Sequence, residues 1–161
     1  MDCSREIYSI QVSSYGADSN VNFVSTLNTP IKSVVKAELV TTSLSCETSN
    51  VAYIVVDELV TRFNDYAVAL PASNDSNVAY SLNSTGSTLR KVFGVVYNED
   101  STVKNRITYY NRYPISADFF DPIRNLSKLS IRLYDHTGSE LSDDGHNFFT
   151  FRFTCLRNNL C

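Results

Sequence analysis

An all-β sandwich is the fold class that this 161-residue sequence predicts, and three observations predict it. Ten Tyr and nine Phe with no Trp, among many Val, Ser, Thr and Asn, favour strands and polar loops over helices. Short segments alternate apolar and polar residues with the period of two that a half-buried strand requires. Gly, Pro, Asn and Asp punctuate those segments, and no long amphipathic helical pattern lies between them. At 18.1 kDa the chain fits one domain and can bury about 68–70% of its unfolded surface around one core.

Taken in order, residues 7–13 form a first strand with Tyr8, Ile10 and Val12 on one face, ending at Ser14-Tyr15-Gly16. Residues 21–27 are a second strand, closed by Asn28-Thr29-Pro30 because Pro30 has no N–H to continue a ladder. Residues 33–45 make the longest run, with Val35, Ala37 and Leu39 opposite Lys36 and Glu38. Residues 51–56 are apolar in succession and read as a strand covered on both faces. Asp57 is expected to cap a short helix carrying Leu59, Val60 and Phe63, followed by a polar loop to Asn77. Short strands follow at 78–82 and 92–97, with a turn at 83–87 between them. In the next strand, 107–113, Ile107, Tyr109 and Tyr113 share one side and Tyr110 takes the other, until Pro114 ends the run. Asp121-Pro122 reads as an N-cap followed by Pro at the first position of one helical turn through Leu126.

Residues 128–155 declare themselves most sharply, as a β-hairpin. Leu129, Ile131 and Leu133 alternate with polar residues in one arm, and Phe149, Phe151, Phe153 and Cys155 line one face of the other. A one-residue slip would turn three Phe rings into water. The turns between the arms carry His136-Thr137-Gly138-Ser139 and Ser142-Asp143-Asp144-Gly145.

Charge and composition remove several function classes. Fourteen basic and 17 acidic residues give a net charge of −3 with no cationic run, so no direct nucleic-acid partner is expected. The N-terminal residues lack a signal-peptide pattern and no apolar stretch reaches membrane-spanning length, which predicts a soluble protein made in the cytosol, without membrane insertion. Cys3, Cys46, Cys155 and Cys161 have no C-x-x-C spacing and are read as buried reduced thiols, with a disulfide formed after release from the cell as the alternative. Asp135, His136, Asp143, Asp144 and His146 are the best candidates for cation binding or acid–base work, but turn chemistry accounts for them and no EF-hand spacing occurs. No nucleophile elbow or phosphate loop is present. Three N-x-S/T matches, at Asn74, Asn83 and Asn125, are read as chance without a signal peptide. Neither catalytic, cofactor nor metal residues are assigned.

The succession Pro30-Ile31-Lys32-Ser33-Val34-Val35-Lys36-Ala37-Glu38-Leu39, Val51-Ala52-Tyr53-Ile54-Val55-Val56-Asp57-Glu58-Leu59, Phe119-Phe120-Asp121-Pro122-Ile123, Leu126 through Gly138 and His146-Asn147-Phe148-Phe149-Thr150-Phe151 carries a further signal. It resembles the small single-jelly-roll capsid proteins of large double-stranded DNA viruses and virophages, above all the penton proteins of the fivefold vertices. The likeness spans about residues 30–156. It implies eight strands in two facing four-stranded sheets, at 21–27, 33–45, 51–56, 78–82, 92–97, 106–113, 128–134 and 147–156, with 7–13 as an added N-terminal strand. It also implies that loops 28–32, 57–77, 98–105 and 135–146 gather at one end. The function implied is a virion subunit, a homopentamer in contact with the major and other minor capsid proteins. Such a ring is heterologous, and Tyr suits its interfaces. Tyr8, Ile10, Val12, Tyr109, Tyr110 and Tyr113 are therefore the candidate subunit-interface residues. A minor or cementing capsid protein, or a sandwich that binds a receptor or carbohydrate through its loops, are the alternatives.

Overall fold

The computed structural model describes residues 4–47, 49–61, 91–99, 105–142 and 145–157. The expected strand at 78–82, its neighbouring turn, most of the 57–77 loop, Phe63, Asp143, Asp144, Cys3 and Cys161 lie outside them. Among the described residues there are seven antiparallel strands: β1 (Arg5–Ser13), β2 (Asn22–Ser45), β3 (Val51–Val56), β4 (Gly94–Tyr97), β5 (Arg106–Tyr110), β6 (Ser116–Tyr134) and β7 (Phe148–Leu156). One 3-10 turn, Asp57–Leu59, follows β3, and no α-helix occurs among the described residues. The protein is all-β, an antiparallel curled sheet consistent with a β-sandwich.

The hairpin expected over residues 128–155 does not form. β7 pairs with β1 and β2, whereas β6 pairs with β2 and β3, so β2 lies between the two arms. Both arms alternate as read, because each buries one face whichever strand it pairs with. Periodicity reports a face; it does not report a partner.

β2 is also longer than expected, running through Asn28-Thr29-Pro30 without a break. Its register with β6 is irregular between Thr26 and Ile31, which accommodates the missing Pro30 donor. Two further irregularities, at Val34/Lys36 and Leu39/Thr41 against β7, each change which parity of side chain points inward. The buried set therefore runs Ile31, Val34, Ala37, Leu39, Thr42 and Leu44, and Val34, not Val35, shares the core with Ala37 and Leu39. Ser33 enters this switch with φ of 54°, the left-handed conformation that lets a strand change faces at a bulge.

β6 corrects a second reading. Asp121-Pro122 starts no helix; residues 119–122 bulge from a continuous strand, opposite the interval between Val34 and Lys36. Pro122 is tolerated there because a bulge needs no N–H from it. At Asp57 the 3-10 turn has no side-chain cap. Asp57 instead pairs with Arg132, and Glu58 accepts from both the backbone N–H (2.6 Å) and the hydroxyl (2.7 Å) of Ser130, pinning the turn to β6. β5 stops at Tyr110, where Asn111 takes φ of 50° and the chain folds Tyr113 back beneath it.

The core is aromatic where β7 crosses it. Phe149, Phe151 and Phe153 are fully buried and stack at 5.9 and 6.0 Å, with Phe23 of β2 and Phe93, just ahead of β4, tilted against them. β3 is covered on both faces, as its apolar run predicts: Ala52, Ile54 and Val56 face the main core, and Val55 packs with Val92 and Tyr134 in a smaller cluster. Gly94 lets β4 approach closely. A Cβ there would lie 2.2 Å from Ile115 Cγ2, and Ile115 is itself buried. Gly94→Ala is expected to lower stability by about 1–3 kcal/mol through overpacking, read as a fall in the urea midpoint.

Candidate assembly surface

Asn147 at the start of β7 organises one end of the fold. Its side chain accepts from Ser45 N–H and donates to the Asn20 carbonyl, both at 2.7 Å, while its own N–H donates to Ser14 Oγ at 2.9 Å. Ser14 N–H donates in return to the Asn147 carbonyl (2.9 Å), and Cys46 N–H to the Asn105 carbonyl (3.0 Å). The described segments gathered here are thus 14–20, 45–47, 49–50, 135–142 and 145–147, with Asn105. The set implied by the resemblance is corrected: residues 28–32 lie within β2, away from this end, because residues 5–13 are already part of the strand succession and the loop count shifts by one.

The imidazoles at this end are structural. His146 Nδ1 lies 2.9 Å from Asn20 Oδ1 and its ring meets Tyr15 edge-on, while His136 Nδ1 lies 3.3 Å from Ser49 Oγ. A Ser–His pair next to Asp135 invites a triad reading, but the bonds oppose it. The Ser49 hydroxyl donates to the Val51 carbonyl at 2.7 Å. Asp135 Oδ1 accepts from Thr137 N–H, the Thr137 hydroxyl and Ser139 N–H, a local turn closed by Gly138 at φ of 85°. Among the described residues no group of three or more His, Cys, Asp or Glu is placed to hold a metal. Cys46 and Cys155 are buried free thiols, and burial pushes the Cys155 thiol above its usual pKa.

The six candidate interface residues divide. Val12 and Tyr109 are buried in the subunit's own core and have no area to offer another copy. Ile10 and Tyr113 are half-buried against that core. Tyr8 is 41% exposed and Tyr110 63% exposed, so these two retain a surface for contact. β1 packs onto the fold through nine consecutive pairs with β7, which covers Val12 and part of Ile10. The Tyr8 hydroxyl donates to Glu6 at 2.8 Å, and that bond raises its pKa.

Tyr109 and Tyr113 form a buried pair with rings 5.0 Å apart, the Tyr109 hydroxyl donating to the Tyr113 carbonyl. Burial pushes the pKa of both phenols up, and the Tyr113 ring adds to the effect on Tyr109. A phenol raised above its unfolded value supports folding below about pH 10, and that support is lost as pH climbs through the folded value. Stability is therefore expected to fall above about pH 10, and Tyr109→Phe to flatten that fall while removing about 1 kcal/mol at neutral pH. Urea unfolding at several alkaline pH values, with the tyrosinate absorbance, reads both effects.

Two surface features escaped the sequence reading. Phe120 is 98% exposed at the Pro122 bulge of β6, flanked by exposed Asp118 and Asp121. Consecutive aromatics ahead of a Pro are the signal for it: alternation buries only one, and Phe119 is the ring that packs inward. On another side, a cavity of about 390 Å³ opens between residues 8–11 of β1 and 25–31 of β2, with Tyr8, Ile10, Leu27, Pro30 and Ile31 in its wall and no charged side chain. A second hollow sharing Tyr8 and Pro30 extends it toward Lys32, Glu6 and Arg157.

No family model matches the chain, and no curated protein matches it either. No helix among the described residues is long and apolar enough to cross a membrane.

Proposed function

We propose that this protein is a structural virion subunit, a single jelly roll that forms homopentamers at the fivefold vertices of the icosahedral capsid of a large double-stranded DNA virus. The observation that carries this reading is strand order. Divided where β2 changes partners, the ladders run β1–β7–β2–β5 through the second half of β2, and β2–β6–β3–β4 through its first half. Counted as eight segments along the chain, that order runs 1-8-3-6 in one half and 2-7-4-5 in the other, which supports a jelly roll because a double Greek key has this order. In this reading β1 is the first of the eight strands, not an addition to them, and the expected strand at 78–82 is not needed to complete the count.

Two further observations support a role in shape and contact. Asp135 at the loop end spends its carboxylate on its own turn, accepting from Thr137 and Ser139. Exposed Tyr8, Tyr110 and Phe120 offer the aromatic area that subunit interfaces favour. The major capsid protein and other minor capsid proteins would be the outer neighbours of such a ring.

Light scattering on the purified protein is the test. A mass of five times 18.1 kDa supports a penton, whereas a stable monomer at every concentration overturns it and moves the protein toward a cementing subunit or a loop-reading binding module.

A further inference from the structure

We propose that Phe120 is the contact anchor of self-assembly, docking into the groove between β1 and β2 of a second copy of this chain. This rests on the reading of the protein as a ring-forming subunit and names the two surfaces that would meet. A Phe side chain fully buried is stabilised by about 1.5–3 kcal/mol relative to water, and Phe120 forgoes nearly all of that at 98% exposure. The bulge that presents it is held on both sides by β2, Lys36 pairing with Asp118 and Val34 with Ile123, and Phe119 packs onto the core beneath. Phe120 is therefore offered by a braced piece of strand, which keeps the entropic cost of docking small.

The same molecule carries a fitting recess. Its volume, about 390 Å³, lies within the range of clefts that enclose small ligands, and Tyr8, Ile10, Leu27, Pro30 and Ile31 give it apolar walls. Charge selects the occupant. Asp118 and Asp121 flank Phe120, with Arg124 as the nearest cation in sequence and Lys36, across the ladder from Asp118, already paired with Glu38 at 2.9 Å, so acids outnumber bases around it. The mouth of the groove has the opposite balance, Lys32 and Arg157 against Glu6, which is paired with Arg157 at 3.0 Å. Lys32 is exposed and has no ion-pair partner among the described residues. An acidic-flanked aromatic is a poor fit to an anionic membrane or a nucleic acid, and a good fit to this basic-rimmed recess. Knob and recess are separate sets of residues, so a head-to-tail contact between copies is heterologous and can close a ring.

The test uses the full chain. Phe120→Ser is expected to weaken self-association at least tenfold by light scattering, with an unchanged melting temperature where both proteins are diluted to monomers, because the side chain supports nothing in its own subunit. Asp121→Lys and Lys32→Glu should each have a similar effect, and the double variant should restore assembly. A photoreactive benzoylphenylalanine at position 120 should crosslink to the tryptic peptide of residues 6–32, which contains every residue lining the recess. Pentamers that persist unaltered in Phe120→Ser, or a crosslink elsewhere, overturn the docking proposal and leave the penton reading standing. A two-copy species that depends on Phe120 supports the contact and overturns the pentamer; a wild-type monomer overturns both.

Discussion

Phe151→Ala is expected to lower the unfolding free energy by about 3–5 kcal/mol, the largest loss from any single truncation in this fold. Phe151 has no solvent exposure and sits in the middle of the Phe149–Phe151–Phe153 stack, with Phe93 packed on it at 5.9 Å. Its position on β7 matters as much as its size. β7 is paired along both edges, with β1 through Ile10 and with β2 through Leu39 at this residue, so neither backbone can move in to close the cavity. Unrelieved cavities are the costly ones. With total stabilities of about 5–15 kcal/mol, the variant should lose a large share of its margin in urea titrations with an unchanged slope. Phe148→Ala is the control on the same strand: Phe148 is exposed, touches the Arg106 guanidinium at 5.8 Å, and its loss should stay below about 1 kcal/mol. Similar losses from the two variants would mean that β7 is not the centre of the core.

The same strand shows what the sequence made legible and what it hid. The inward face of β7, the two-sided burial of β3 and the position of β1 all follow from patterns of six to nine residues without a bulge, where period two translates directly into burial. β2 and β6 defeated the same reading because they are 24 and 19 residues long and change face within their length. Each switch at Val34/Lys36 and Leu39/Thr41 resets the parity, so a pattern read straight through assigns Val35 to the core in place of Val34. Pro30 looked like a strand terminator and Pro122 like the start of a helical turn, and both fall at irregularities of a continuing ladder instead. Partner choice was hidden more deeply. Nothing in the alternation of residues 128–134 or 149–155 records that β2, more than 80 residues earlier, lies between them. At the candidate surface, Tyr8 and Tyr110 could be found from their residue type, and Phe120 only from its place beside Phe119 ahead of Pro122, where alternation buries one ring of the two.

Asn147→Ala is expected to cost about 2–4 kcal/mol, although alanine removes only a small polar group. Asn147 is fully buried, and truncation leaves the buried Ser45 N–H without its acceptor at 2.7 Å and takes a 2.7 Å donor from the partly buried Asn20 carbonyl. Each buried group so orphaned costs about 1–3 kcal/mol, more than the hydrogen bond itself contributed. The backbone bonds between Asn147 and Ser14 survive the substitution, which separates the variant from a general collapse of β7. The loss should therefore be local as well as global. Amide exchange at Ser45 and across residues 14–20 should accelerate, while the amides of β3 and β6 keep their protection relative to the new global stability. If one amide holds these three segments, Asn147→Asp cannot rescue them, because a carboxylate keeps the acceptor facing Ser45 but has no N–H for Asn20. A loss below about 1 kcal/mol in the alanine variant would instead assign the gathering of this end to Ser14 and the flanking ladders, with the Asn147 side chain only following them.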